Sequence, residues 1–445
     1  MGQWRRWIMA GLMLLLGLLL SYRYVPLERL SVADHLRGFP DADPRSHGLR
    51  PLVLSAMFFL PFFGCMAYSC AGVLSRWLTR EFLCSFLICY GGILLVFMLI
   101  DFSGNASRFS DGEGVLEGAW FFYSRMATPI LCVLLPLGTL LSVLFCVSRV
   151  SRSREIVAAL QSGRGMTRLM MPVYFCGAML ALFYMGCNFH WAPRAEGMRW
   201  ANLNQASGKA SIQATNIVFY YAKGRRMWMV KEFPREYAKG APLRGVEVTT
   251  QNVDGSLQSR LYAKQAQWIE SNQSWSFTGV ELSDHHRNDA PIFVKPPSPC
   301  IMEDWGETPA QIIKLGVDVR NLSVPDLMDL MRSDMSAEWQ GRDPVRYATQ
   351  WHYRWAQPLS CLVYVILAVP LSLFVTRRAS GGGLAVAIGL AILMVVMTTV
   401  LLALGESNNM SPALAVWSPV ALFSVVGVCL MKRRISGRPL WPLFG

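Results

Sequence analysis

Long apolar runs without a charge constrain this chain more than any other feature. Leu52–Leu74, Leu83–Ile100, Met170–Phe189, Leu359–Val375, Leu384–Leu404 and Ala413–Met431 contain no Asp, Glu, Lys or Arg. A hydrocarbon core ~30 Å thick needs about 20 apolar helical residues to cross it, so each run approaches or reaches a span. Phe121–Val147 is equally apolar beyond Arg125, which sits near one end, and Trp7–Leu20 is a shorter run of the same kind. Only helices and closed barrels satisfy their backbone hydrogen bonds in lipid, so the runs predict a polytopic α-helical membrane protein. Charged residues make up 16% of the chain, against about 25% in soluble domains.

The net charge of +13 could mark a nucleic-acid binder, but its distribution follows membrane topology instead. With a cytoplasmic N-terminus, the inner segments carry Arg5, Arg6, Arg76, Arg80, Arg149, Arg152, Arg154, Arg164, Arg168, Arg377, Arg378, Lys432, Arg433, Arg434 and Arg438, against Glu81 and Glu155. The outer loop 101–119 holds Asp101, Asp111, Glu113 and Glu117 against Arg108, and 405–411 holds Glu406 and no base. This is the positive-inside pattern. Nucleic acid is not an expected partner. Arg5-Arg6 before Trp7–Leu20 also fits a secretory signal. Ser21-Tyr22-Arg23-Tyr24 lacks a small-x-small cleavage site, which favours an uncleaved anchor. Either reading puts residues 23–50 outside.

One long polar segment, about 191–348, interrupts the spans. Asn216–Tyr221, Arg225–Phe233, Val246–Asn252, Gln258–Ile269 and Ser274–Ser283 are short runs rich in β-branched and aromatic residues, punctuated by Gly224, Pro234, Gly240, Pro242, Asp254-Gly255 and Asn272. They predict antiparallel strands in a sandwich, jelly roll or half-open barrel. Ser323–Arg332 reads as a short capped helix leading back to the membrane, with Pro325 in its first turn. Ten of the eleven cysteines lie in apolar spans and only Cys300 lies in the insert, so no internal disulfide staples it. No zinc-type or redox cysteine pair is present.

Ser148–Arg168 is the most informative polar loop. Ser153 is placed to cap a helix over about Arg154–Ser162, and Gly163 to end it in the left-handed conformation. Glu155 falls in the first turn, where a carboxylate suits the helix dipole. Ile156, Val157, Ala159 and Leu160 form an apolar side. A plain surface helix and a helix that docks on a cytoplasmic partner both fit. No phosphate-binding GxxxxGK[ST] exists: Gly163-Arg164-Gly165 and Gly381-Gly382-Gly383 lack the lysine, and Gly208-Lys209 is followed by Ala210. The histidines show no HExxH spacing; His285-His286 sits in a polar turn, and His190 and His352 at span ends. No cofactor and no catalytic residue are expected. Arg125, Arg194, Arg199, Arg346 and Arg354 lie near outer span ends, where guanidinium groups pair with acids such as Asp101, Glu117 and Glu196, or bind anionic headgroups.

From about Trp77 to Arg434 the chain resembles the lipopolysaccharide-export permeases of the LptF/LptG family. The matching pieces come in the family's order: Arg80-Glu81-Phe82, Ser151-Arg152-Ser153-Arg154-Glu155-Ile156-Val157-Ala158-Ala159-Leu160-Gln161-Ser162-Gly163, Ala192-Pro193-Arg194-Ala195, Tyr262-Ala263-Lys264-Gln265-Ala266-Gln267-Trp268, Trp275-Ser276-Phe277, Arg354-Trp355-Ala356-Gln357-Pro358-Leu359 and Pro370-Leu371-Ser372. The resemblance implies six family spans with an inserted periplasmic all-β jelly-roll-like domain, in the bacterial inner membrane. Two such permeases would sit on a cytoplasmic ABC ATPase dimer, extract lipopolysaccharide from among the membrane lipids and pass it to a single-span periplasmic bridge protein. It makes 151–163 the coupling helix, with Arg154, Glu155, Ile156, Ala159, Leu160 and Gly163 at the ATPase contact. The resemblance also implies phosphate-contacting lysines around the first family span, but Leu83–Glu117 contains none; Arg108 and Arg125 are the expected substitutes, and Arg194 and Arg354 of the span-end arginines complete the expected substrate residues. The expected layout is an extension over 1–74 with two spans, permease spans over 75–190, the β domain over 191–348, spans over 349–434 and a tail over 435–445. A permease for another lipid or lipoprotein, and a membrane scaffold that transports nothing, would share this topology.

Overall fold

The structure is a computed structural model that describes residues 3–38, 43–110, 114–153, 155–161, 163, 165–207, 212–221, 224–234, 237, 240–284, 292–303, 305–316, 318–332, 344–373 and 382–436. Arg154, His285-His286 and nearly all of the 435–445 tail lie outside these residues. Among the described residues, eight helices are long and apolar enough to cross a membrane, in the regions of the eight apolar runs. The first, α1 (Gln3–Gly38), has 36 residues. At 1.5 Å per residue it measures about 54 Å, so it outruns the hydrocarbon core. Residues 23–50, expected only as an outer connection, are therefore mostly helical. α2 (Pro44–Cys70) starts at a proline, with Asp43 as its cap: Asp43 Oδ1 accepts from the Arg45 amide at 3.0 Å.

The next helices are α3 (Val73–Ser110), α4 (Val115–Arg152), the short α5 (Glu155–Gln161) and α6 (Met166–Phe189). The last three spans, counted in chain order after the helices of the insert, are α11 (Pro344–Ser372), α12 (Gly382–Glu406) and α13 (Pro412–Ile435). α4 and α11 are the most buried spans, while the faces of α2, α3 and α12 are largely open. The main core gathers Phe82 of α3, Val143 and Val147 of α4, Met170 and Val173 of α6, and Val365 and Val369 of α11. Helices in lipid associate through close packing rather than apolar burial, and small residues set the approach. A Cβ on Gly427 of α13 would stand 3.0 Å from the carbonyl carbon and oxygen of Ile366 in α11. Backbone cannot yield as a side chain can. Gly427→Ala is expected to cost about 1–3 kcal/mol through overpacking; thermal unfolding in detergent at wild-type values would refute this contact.

After α6 the chain turns through α7 (Trp191–Gly197) and α8 (Arg199–Ala206) and enters, among the described residues, seven strands: β1 (Ile212–Tyr221), β2 (Arg226–Pro234), β3 (Leu243–Gln251), β4 (Leu257–Ile269), β5 (Ser274–Asp284), β6 (Ile292–Val294) and β7 (Cys300–Met302). All pairings are antiparallel, in the order β1-β2-β3-β4-β5-β6 with β7 also on β5. Among the described residues, the jelly-roll expectation thus takes the form of an up-and-down sheet. Alternation puts Ile217, Phe219, Trp228, Val230, Val246, Val248, Leu261, Ala263, Trp275 and Phe277 on one buried face. Gly255, with φ +81°, makes the predicted Asp-Gly turn, its amide donating to the Asn252 carbonyl at 3.1 Å. α9 (Pro309–Gly316) covers the buried face with Ile312 and Ile313.

α10 (Val324–Arg332) follows, and matches the helix expected at Ser323–Arg332. The Ser323 hydroxyl donates to Asp326 Oδ2 at 2.5 Å, and the Ser323 amide lies 3.4 Å from the same oxygen. Leu330 packs against the β-domain core, while Leu327 packs with Tyr347 of α11. α10 therefore joins the β domain to the bundle.

Candidate functional site

The turn at His190 and the break at Met198 fold α7 and α8 back over α4 at the β-domain end of the bundle. Ala192 and Pro193 of α7 are buried there, and Leu203 and Ala206 of α8 join Phe109, Phe122 and Met126 in one core. This arrangement leaves a cleft of about 220 Å³ lined by Arg125, Trp191, Arg194, Ala195, Met198 and Asn202. Two of the four arginines expected to contact substrate thus share one cleft, from α4 and α7.

The Arg125 guanidinium carbon stacks 3.5 Å from the centre of the Phe121 ring. Arg194 Nη1 lies 3.5 Å from His190 Nε2. Burial, reinforced by the nearby charges of Arg50 and Arg194, pushes the His190 imidazole well below its usual range. His190 is therefore neutral and can accept from Arg194. Asn202 is buried at the cleft and its Oδ1 has no hydrogen-bond partner among the described residues. A buried acceptor left unpaired costs about 1–3 kcal/mol. The cleft thus offers two cations and one acceptor in an apolar, tryptophan-edged wall, a set suited to an anionic group beside a hydroxyl or amide donor. Tyr237, packed against the β-domain core, is close enough to feel the Arg194 charge, though burial is the main cause of its raised pKa.

The other arginines lie elsewhere. Arg108 ends α3 and stands 5.0 Å over the Trp200 ring. Arg354 of α11 is buried, bonding Asn188 Oδ1 of α6 at 3.3 Å and the Arg320 carbonyl, while Asn188 Nδ2 donates to the Arg354 carbonyl at 2.8 Å. It ties α6, α11 and the Val319–Asn321 turn together. Arg199 pairs with Asp101 at 2.8 Å, and Arg346 with Asp318 at 3.6 Å. Trp191, Met198 and Asn202 escaped the sequence reading. Their signal was present: a tryptophan-bearing amphipathic stretch directly after a span.

At the other end of the bundle, α5 hangs between α4 and α6. The Ser153 Oγ donates to the Val150 carbonyl at 3.0 Å and so closes α4, and the expected cap of the following helix passes through Arg154, which lies outside the described residues. α5 begins at Glu155, which is exposed in the first turn. Ala159 and Leu160 are half-buried and pack against the main core. Gly163 has φ +83°, and its amide donates to the Leu160 carbonyl at 3.0 Å. A side chain at that φ would be strained. Ile156 lies on α5. Beneath α5, Leu74, Trp77, Leu78, Val150, Glu155, Ala159, Leu169 and Met170 enclose a small cavity.

A search of curated proteins finds no match to this chain. The family model described as lipopolysaccharide export system permease LptF/LptG matches residues 76–433. The match takes in the cleft, α5, the β domain and the last three spans, and it leaves out α1, α2 and the start of α3. The chain, a multi-pass membrane protein with an inserted β domain, belongs to the LptF/LptG family of lipopolysaccharide export permeases.

Proposed function

We propose that this chain is one permease half of an ATP-driven exporter that extracts lipopolysaccharide from the bacterial inner membrane. A second permease completes the lipid path, a cytoplasmic ABC ATPase dimer docks on α5, and the periplasmic β domain hands the lipid to a bridge protein. The observation that carries this reading is the placement of two surfaces at opposite ends of one bundle. An acid-tipped helix stands at one end and an arginine-lined cleft beside a β domain at the other. Closure of the ATPase would push α5, and its Ala159 and Leu160 contacts would pass the motion to α4 and α6. In the cleft, Arg125 and Arg194 would hold a headgroup phosphate while Asn202 accepts from a neighbouring hydroxyl or amide. The edge strand β6 exposes Ile292, Phe293 and Val294, a place where a bridge strand could add.

Purification of the full chain in mild detergent should bring down a P-loop ATPase and a second permease-like chain. Their absence would favour a scaffold that transports nothing. Glu155→Ala is expected to reduce copurified ATPase and export together; full copurification with normal export would remove α5 from the interface. Labelled lipopolysaccharide should crosslink from inward-facing β-domain positions, and a different adduct would point to an exporter of another lipid or lipoprotein.

A further inference from the structure

One cluster of titratable side chains lies outside both the arginine cleft and α5. His35 lies near the end of α1, His47 in the first turn of α2 and Asp326 in the first turn of α10. Each offers a ligand atom, and the three atoms lie within 4.8 Å of one another. The His35 and His47 ring centres are 4.4 Å apart.

The orientation of His47 is fixed. Its Nε2 stands 2.8 Å from Asp329 Oδ2, and Asp329 Oδ1 accepts from the Ser46 hydroxyl at 3.2 Å and the Asp43 amide at 3.1 Å. An ionised carboxylate only accepts, so His47 Nε2 carries a proton and donates it. The remaining ring nitrogen is Nδ1. It is buried on a residue of 0% exposure and has no hydrogen-bond partner among the described residues. A histidine that gives one ring N–H to a buried carboxylate and keeps the other nitrogen bare is arranged as metal-binding histidines are. On Asp326, Oδ2 accepts from the Ser323 hydroxyl at the cap of α10, and Oδ1 lies 3.7 Å from His35 Nε2.

We propose that His35, His47 and Asp326 bind a divalent transition-metal ion that clamps the N-terminal helix pair to α10. Two imidazoles and one carboxylate match Zn2+, with water in the fourth position; Mg2+ and Ca2+ prefer oxygen-only shells. Ligand atoms around tetrahedral Zn2+ are roughly 3.3 Å apart, so the site must tighten. His35 and Asp326 are only half-buried and can turn, while Asp329 holds His47 still. The ion would join α1 and α2, outside the family match, to the helix that connects the β domain with α11. It would reinforce the clasp already made by Arg332 and Asp43.

The test uses the full chain in detergent without a polyhistidine tag, stripped with EDTA and titrated with Zn2+ by calorimetry and with Co2+ by visible spectroscopy. One equivalent per chain is expected, with the d–d bands of tetrahedral Co2+. His35→Gln and Asp326→Asn should each weaken binding at least about tenfold, and Asp329→Asn by about 10–100-fold with stoichiometry kept. The first two changes fall at half-buried positions, and monodisperse elution checks their folding. If folded wild type binds no more metal than the His35→Gln/Asp326→Asn double variant, the cluster is an ion-pair clasp and the proposal fails. Undiminished binding in that double variant would place the metal elsewhere and overturn it equally.

Discussion

Replacing Arg226 by alanine is expected to destabilise the β domain by about 3–5 kcal/mol, the typical cost of stranding a buried charge. The cause is Glu307, whose side chain is 0% exposed. Arg226 grips it with two bonds, Nε to Oε1 at 2.6 Å and Nη2 to Oε2 at 3.1 Å. Trp228 Nε1 makes only a long contact of 3.5 Å with Oε1, and Trp275 Nε1 bonds the Glu307 backbone carbonyl at 2.7 Å, not the carboxylate. Without Arg226 the carboxylate would remain among indole rings with little to balance its charge. The guanidinium also lies 4.9 Å over Trp305, a cation–π contact that alanine would lose.

The double variant Arg226→Ala/Glu307→Gln should recover part of the loss, because a neutral amide costs less to bury than a carboxylate. Tryptophan fluorescence during unfolding reads the site directly, since Trp228, Trp275 and Trp305 surround it. The two single variants and the double close a mutant cycle. A single variant within about 0.5 kcal/mol of wild type, the range of ordinary surface changes, would show that the pair does not hold the domain.

The pair also shows where sequence reading stops. Arg226 and Glu307 are 81 residues apart, and neither departs from a normal strand or loop composition. The spans were legible because run length against bilayer thickness is a local property. The strands were legible because alternation and turn residues are local too. Gly163 was legible for the same reason, as only a glycine rests easily at positive φ. The continuation of α1 past Leu20 was not. Arg23, Glu28, Arg29 and Asp34 break its apolar run, and its partners lie on other helices: Glu28 pairs with Arg50 at 2.5 Å, and His35 with Asp326. The role of Ser153 in closing α4 was not legible, because a serine between two helices can serve either. The cleft was half legible. Arginines at span ends signal anions or pairing, but which of them meet depends on the turns at His190 and Met198.

Those turns separate three of the four expected substrate arginines into two kinds, and substitution should do the same. Arg125 and Arg194 are exposed at the cleft; Arg354 is buried and bonded to Asn188 and to the Arg320 carbonyl. Arg125→Gln/Arg194→Gln is expected to weaken binding of a phosphate-bearing lipid by roughly 10–100-fold per arginine, because a charge-assisted hydrogen bond contributes about 1.5–3 kcal/mol. The residual binding should lose much of its salt dependence, since screened charge pairs are what salt weakens. Thermal stability should stay within about 0.5 kcal/mol of wild type, as at other exposed sites. Arg354→Gln should behave in the opposite way. It shortens the reach to the Arg320 carbonyl and leaves that acceptor unpaired, which costs about 1–3 kcal/mol of stability, while lipid binding by the folded fraction stays near wild type. Photocrosslinking yield and unfolding temperature, measured on the same preparations, distinguish the two. A cleft double variant that binds as wild type does would move the headgroup site away from α7. Lipid binding lost in folded Arg354→Gln at full stability would return Arg354 to the substrate path.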